Sequence, residues 1–226
     1  MTYKLYSFWR SSAAFRVRIA LNLKGIDYEI IPIHLGKNGG DQLGEEYGKK
    51  NPNRLVPLLE DDEKSIHQSL AIIEYLEEIQ AEPALLPKPA IDRAWVRSVA
   101  MDIASEIHPI NNLRVLRYLI KKLGISTESK DEWYGHWIKV GLESVEKQLS
   151  LDSRVGRFSY GDQPGLIDLC LVPQLFNALS VKVDVKPYPT LMRIFHECMT
   201  LPAFIGASWE NQMDAEGLNP VTPPQE

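Results

Sequence analysis

Cysteine is scarce in this chain: Cys170 and Cys198 are the only two in 226 residues, and they belong to no CxxC or Cys/His spacing. A zinc site or a redox pair is therefore not expected, and two buried thiols in helix-like segments are. Long hydrophobic runs are missing too. No apolar stretch approaches the ~18 residues that a membrane span requires, and no charged leader with an apolar core precedes Tyr3. Positive charge is not in excess, because 25 Lys and Arg stand against 30 Asp and Glu for a net charge of -5. Nucleic acid finds no basic footprint on such a chain. These absences leave a cytoplasmic globular protein without a membrane or nucleic-acid partner, long enough for one large domain or two small ones. The five histidines add no metal centre, since His34, His67 and His108 share no ligand spacing.

What is present begins with a short apolar run, Tyr3 to Ser7, followed by Arg10-Ser11-Ser12 and an apolar-periodic segment that stops at Gly25. Strand, turn and helix are the expected elements, with two serine hydroxyls at a helix N-terminus. There they are either simple N-caps or part of a site for a thiolate or carboxylate, which the unpaired N–H groups and the helix dipole favour. Asp27 to His34 predicts a second strand, with Pro32 at an edge or bend. Gly36 to Gly48 is polar and rich in glycine. Leu55-Val56-Pro57-Leu58-Leu59 and Lys64-Ser65-Ile66 are spaced for a hairpin around Asp61-Asp62-Glu63. Gln68-Ser69 then opens LAIIEYLEEI, whose apolar residues follow helical spacing. The first eighty residues predict β-α-β and then β-β-α.

Pro83, Pro87 and Pro89 mark a linker, and the rest predicts helices. Ile91 to Leu123 carries Pro109 and should kink or break there. Asp131 to Leu149, Leu166 to Val181 and Tyr188 to Met199 follow, with a short helix between Leu201 and Trp209. Gly217 to Glu226, with three prolines, predicts a mobile tail.

Two further features bear on chemistry. A bond between an apolar residue and proline, such as Val56-Pro57, can be cis, and would then turn the Val56 N–H and C=O outward toward an extended peptide-like ligand. Ser69, at the next helix start, offers a hydroxyl and N–H groups to a carboxylate. Taken alone, Pro57 at a strand edge and Ser69 as a cap explain both.

RSSAAFRVRIALNLKGIDYE, with NPNRLVPLLE, IHQSLAIIEYLEE, IHPINNLRVLRYL, DLCLVPQLFNA and VDVKPYPTL, resembles the zeta class of glutathione transferases, the maleylacetoacetate isomerase family. The resemblance covers nearly the whole chain. It implies an α/β N-terminal thioredoxin-like domain that binds glutathione (1–82), a linker (83–90) and an all-α C-terminal domain (91–226). It also implies a homodimer, with glutathione as cofactor and a diketo acid as substrate. One of Ser11 and Ser12 would hydrogen-bond the glutathione sulfur, with Ser11 the first choice, lowering a thiol pKa of about 8.5 toward neutrality. His34 and Gln42 would meet the glycyl end, the Val56 backbone the cysteinyl unit, and Gln68 and Ser69 the γ-glutamyl carboxylate. His108, Asn112 and Arg114 map near the ligand on the long helix of the second domain, and Arg10 beside the serines is a candidate for stabilising charge on the substrate.

The implied activity is glutathione-dependent cis-trans isomerisation of maleylacetoacetate in tyrosine and phenylalanine breakdown. Maleylpyruvate isomerisation, a general transferase activity and a non-catalytic binding module are the alternatives. Three departures from the family pattern stand out. Ala13 replaces a common cysteine after the serine pair, Ser180 replaces a common arginine that would hold a substrate carboxylate, and Gly165 replaces the Ser or Thr of a capping box with Asp168.

Overall fold

The computed structural model describes residues 2–216, so the tail predicted to be mobile lies outside the described residues. β1 (Tyr3–Ser7) runs into α1 (Ser12–Lys24), whose first turn is capped by Ser11 and whose end is closed by Gly25. Gly25 adopts φ 62, a left-handed conformation open to glycine, and its N–H reaches back to Asn22 and Leu21. β2 (Tyr28–Pro32) returns parallel to β1, and β3 (Leu58–Asp61) and β4 (Lys64–His67) form an antiparallel hairpin before α3 (Ser69–Ile79). The sheet order is β2-β1-β3-β4, with β3 antiparallel to β1.

Alternation along β1 divides the core. Leu5 lies opposite Leu59, both fully buried, whereas Tyr6 and Leu58 point to the other face with Ile33, Val56 and Tyr47. Tyr47 comes from α2 (Glu45–Lys50), a short helix in a stretch whose glycines predict irregular chain. Its signal was electrostatic: Glu45 and Glu46 in the first turn and Lys49 and Lys50 in the last complement the dipole. β3 starts only at Leu58, later than the apolar run suggests, because Pro57 has no N–H for a ladder and follows a cis peptide bond.

The described residues divide into two units: those up to Leu85 together with the segment Thr200–Glu216, and Leu86–Met199. The first therefore takes in α9 (Pro202–Ala207), which the sequence reading places with the helices of 91–226. The reason is polar: the Arg18 Nε donates to the Ala207 carbonyl at 3.0 Å, and the Asn22 Nδ2 to the Ala203 carbonyl at 3.0 Å.

In the second unit α4 (Ala90–Met101) passes into a π-helical turn, Asp102–Ile107, and a 3-10 turn, Pro109–Asn111, before α5 (Leu113–Lys121). The break anticipated at Pro109 thus begins seven residues earlier, at Asp102, at the level of hydrogen bonding, with the proline itself at the start of a new turn. α6 (Thr127–Leu151), α7 (Leu166–Ser180) and α8 (Pro189–Cys198) complete this unit. α7 is buried almost throughout, and Asp168 ties its start: its carboxylate accepts from the Gly165 N–H at 2.8 Å and the Ser159 N–H at 3.0 Å. Gly165 thus leaves half of a capping box in place. Burial pushes the Asp168 carboxyl above its usual range, and the two N–H donors pull it back. Asp168→Ala strands both buried donors and should cost about 3 kcal/mol, seen as an earlier midpoint in urea with an unchanged slope. An unchanged midpoint would refute that role.

Candidate active site

Strand direction gathers the candidate residues. β1, β2 and β4 all run toward the same edge of the sheet, and β3 starts from it, so the register Leu58↔Tyr6 and Leu58↔His67 aligns Val56 with that edge. Ser11 and Ser12 follow β1, His34 follows β2, and Gln68 and Ser69 follow β4. Ligands of open α/β sheets bind at this end, where helix N-termini converge. A hydrogen bond fixes the two helix starts together, the buried Arg16 Nη1 donating to Ser69 Oγ at 3.2 Å.

Ser11 is a true N-cap. Its Oγ accepts from the Ala14 N–H at 3.2 Å, while its hydroxyl proton finds no acceptor among the described residues. A hydroxyl that accepts from one N–H is polarised to donate outward, so capping and thiolate binding are compatible. Ser12, by contrast, is buried. Neither α1 nor α3 has an acidic residue in its first turn, and α3 has no side-chain cap, so their positive ends are not neutralised by their own side chains. Gln68 introduces α3 at φ 73, a costly backbone for a non-glycine residue, and its side chain is exposed.

Val56 precedes the cis bond, and neither its N–H nor its C=O has a hydrogen-bond partner among the described residues. Gln42 is 6% exposed and its Oε1 is unpaired. It lies over Gly40, at φ 109, where a Cβ would come within 2.6 Å of that oxygen. His34 organises its loop: its Nδ1 accepts from the Gly36 and Lys37 N–H groups at 3.0 and 2.7 Å, which places the proton of the neutral ring on Nε2. Unpaired groups of both signs, arranged as an extended edge with two open helix ends, suit a small peptide bearing carboxylates.

Arg10 is exposed, with its guanidinium 5.6 Å from the centre of the Trp209 ring. His108, Asn112 and Arg114 belong to the second unit. His108 joins the π-helical and 3-10 turns, Asn112 caps α5 by accepting from the Arg114 N–H at 3.1 Å, and the Arg114 side chain is exposed. Ser180, at the end of α7, donates to the Asn177 carbonyl at 2.8 Å. A separate cavity of about 730 Å³ lies under α2, lined by Tyr6, Tyr47 and Lys50 among others and by none of the candidate residues. The sequence reading assigns no role to Arg18 or Asp214, which hold the loop carrying Arg10 and Ser11. The available signal for Arg18 was a charge on the apolar face of α1.

The family model "Glutathione S-transferase, N-terminal domain" matches residues 1–78. A probable maleylacetoacetate isomerase of Vibrio cholerae is 47% identical over 95% of this chain and 99% of its own. The chain belongs to the zeta-class glutathione transferase/maleylacetoacetate isomerase family. Two solved members are similar throughout. One is a holo maleylpyruvate isomerase described as a bacterial zeta-class transferase, 44% identical with a TM-score of 0.91 over 94% of this chain and all of that one. The other is a maleylacetoacetate isomerase from Methylobacterium extorquens AM1 with bound malonate and glutathione, 39% identical with a TM-score of 0.91 over 95% and 100%.

Glutathione is the cofactor of this zeta-class chain, and the Ser11 hydroxyl, the Val56 edge and the buried Gln42 amide oxygen are unpaired groups. Gln42→Ala should weaken glutathione binding roughly tenfold, about 1–2 kcal/mol, by calorimetry. The fold itself should lose little, because the amide oxygen removed is already unpaired. Unaltered affinity would exclude Gln42 from the site.

Proposed function

We propose that the protein is a glutathione-dependent cis-trans isomerase converting maleylacetoacetate to fumarylacetoacetate in tyrosine and phenylalanine breakdown. The observation that carries it is the unspent Ser11 hydroxyl proton at an uncompensated helix N-terminus, in a chain whose relative of 47% identity is a probable maleylacetoacetate isomerase.

Bound glutathione would supply a thiolate able to add reversibly to the cis double bond and so free it to rotate. The chain's own residues prepare this. Ser11 donates to the sulfur, and the N–H groups of α1 add their dipole, both favouring thiolate over thiol. Ser12, buried in the same turn, is the alternative donor to the sulfur. The open start of α3, with Gln68 and Ser69, receives the γ-glutamyl carboxylate, the Val56 N–H and C=O pair with the cysteinyl unit, and Gln42 and the His34 Nε2–H take the glycyl end. Arg10, exposed beside Ser11, is placed to offset negative charge that develops on the substrate ketones, and its fork suits a carboxylate. His108, Asn112 and Arg114 are assigned to the ligand by the family resemblance alone.

The same chemistry on maleylpyruvate is the second reading. It is favoured by the maleylpyruvate isomerase of 44% identity, and Ser180, in place of an arginine that would hold a substrate carboxylate, leaves the choice of acid open. Glutathione-dependent isomerisation of the two acids, followed spectrophotometrically, distinguishes them, and turnover of neither would overturn the assignment. Ser11→Ala should lower kcat/KM about 10²-fold, the usual loss for one oriented donor. Ser180→Arg should lower the KM for the preferred acid, and no change would leave the carboxylate to Arg10 or Arg114. The family's habit further supports a cytoplasmic homodimer. Sedimentation at the mass of two 25.7 kDa chains is expected, and a monomer at micromolar concentration would contradict it.

A further inference from the structure

The loop that carries Arg10 and Ser11 is held by a part of the chain nearly two hundred residues away. Below it, the fully buried Arg18 guanidinium donates to Ser7 Oγ at 3.0 Å, the Phe8 carbonyl at 3.3 Å, the Trp9 carbonyl at 3.0 Å and the Ala207 carbonyl at 3.0 Å. Beyond it, the Asp214 carboxylate accepts the Trp9 N–H at 3.0 Å. Both backbone groups of Trp9 are thus bound to charged side chains, one from α1 and one from the C-terminal segment. The Trp9 ring stands edge-on to Trp209, with centroids 5.9 Å apart, and Arg10 lies over the same ring. Glu216 pairs with Lys37 on the loop that follows His34. The segment therefore crosses from the serine loop to the His34 loop.

We propose that the C-terminal segment from Ala207 to Glu216 is a clamp on the glutathione site, with Asp214 and Arg18 as positioning residues that fix the direction in which Ser11 presents its hydroxyl. The proposal rests on the glutathione reading of that site. Its physical basis is direct. A hydroxyl at a helix N-terminus lowers a thiol pKa only if it meets the sulfur at hydrogen-bond distance, and Ser11 lies two residues beyond the backbone group that Asp214 holds. Releasing Trp9 lets the loop sample other arrangements, and the ligand must then re-order it at a cost in affinity.

Asp214 is partly exposed, so its substitution should leave the fold intact, whereas Arg18→Ala would remove a buried side chain that donates to four acceptors at once. Three measurements on Asp214→Ala and Asp214→Asn test the clamp. Amide hydrogen exchange of the ligand-free protein should be faster over residues 8–12 in Asp214→Ala. Calorimetry should give a glutathione Kd raised roughly three- to tenfold, and the ultraviolet absorbance of the bound thiolate should titrate at higher pH than in the wild type. Asp214→Asn, which keeps an acceptor oxygen, should recover part of each effect. Unchanged exchange over 8–12 overturns the clamp. A lower melting temperature with unchanged Kd and thiolate titration makes Asp214 merely structural and also overturns it. Failure of the wild type to bind glutathione overturns instead the functional reading, and with it the role given to Ser11.

Discussion

One fully buried cation, Arg18, ties the loop before Ser11 to the rest of the first unit. Arg18 sits on the inward side of α1 with no exposure, and removal from water lowers its pKa to about 10, still far above neutrality. A charge in that position is tolerated only with nearly every donor matched, because a lone buried ion is penalised by several kcal/mol. Its acceptors are supplied by chain that would otherwise be loop: Ser7 at the end of β1, two successive carbonyls after it, and the end of α9. The rigid planar fork of arginine can serve four directions at once, which lysine cannot. The loop before Ser11 is fixed by satisfying this ion, and α9 joins the first unit for the same reason.

Helix starts reveal a division of labour by charge. α7 closes its own N-terminus with the buried Asp168, and α2 places two glutamates in its first turn. Those helices spend their positive ends internally. α1 and α3 carry no acid there, α3 lacks a cap altogether, and both point to the edge where Val56 leaves its N–H and C=O unpaired. Unpaired backbone groups and open helix ends at one end of a sheet are the arrangement that suits a ligand with carboxylates and amides.

Much of this was legible in the residues, and the exceptions have physical causes. The apolar run Tyr3 to Ser7 and the stop at Gly25 marked the first strand and helix, and Gln68-Ser69 marked the start of α3. α2 escaped because glycines at 36, 39, 40, 44 and 48 mask a six-residue helix whose only signal is charge order. The π-helical turn at Asp102–Ile107 escaped because its residues keep helical apolar spacing, and Pro109 drew attention to the wrong point. The C-terminal segment escaped for a deeper reason. Its tie to the serine loop is made by one carboxylate, one guanidinium and an aromatic edge between residues about 200 apart, and no local periodicity reports a contact of that kind.

The absence of a cysteine in the first turn of α1 narrows the chemistry. Ala13 leaves the catalytic turn without a thiol, and both cysteines lie buried in α7 and α8. Burial raises the Cys198 thiol well above its usual range, so it cannot supply a thiolate near neutral pH. On the proposed function the sulfur nucleophile arrives with glutathione, and the protein's contribution is a hydroxyl, two helix ends and the geometry that aims them. Geometry is the term most sensitive to small displacements, since a shift of one ångström at a reacting centre can cost about two orders of magnitude in rate. That sensitivity explains why a loop only a few residues long is held from beneath by a buried arginine and from beyond by an aspartate.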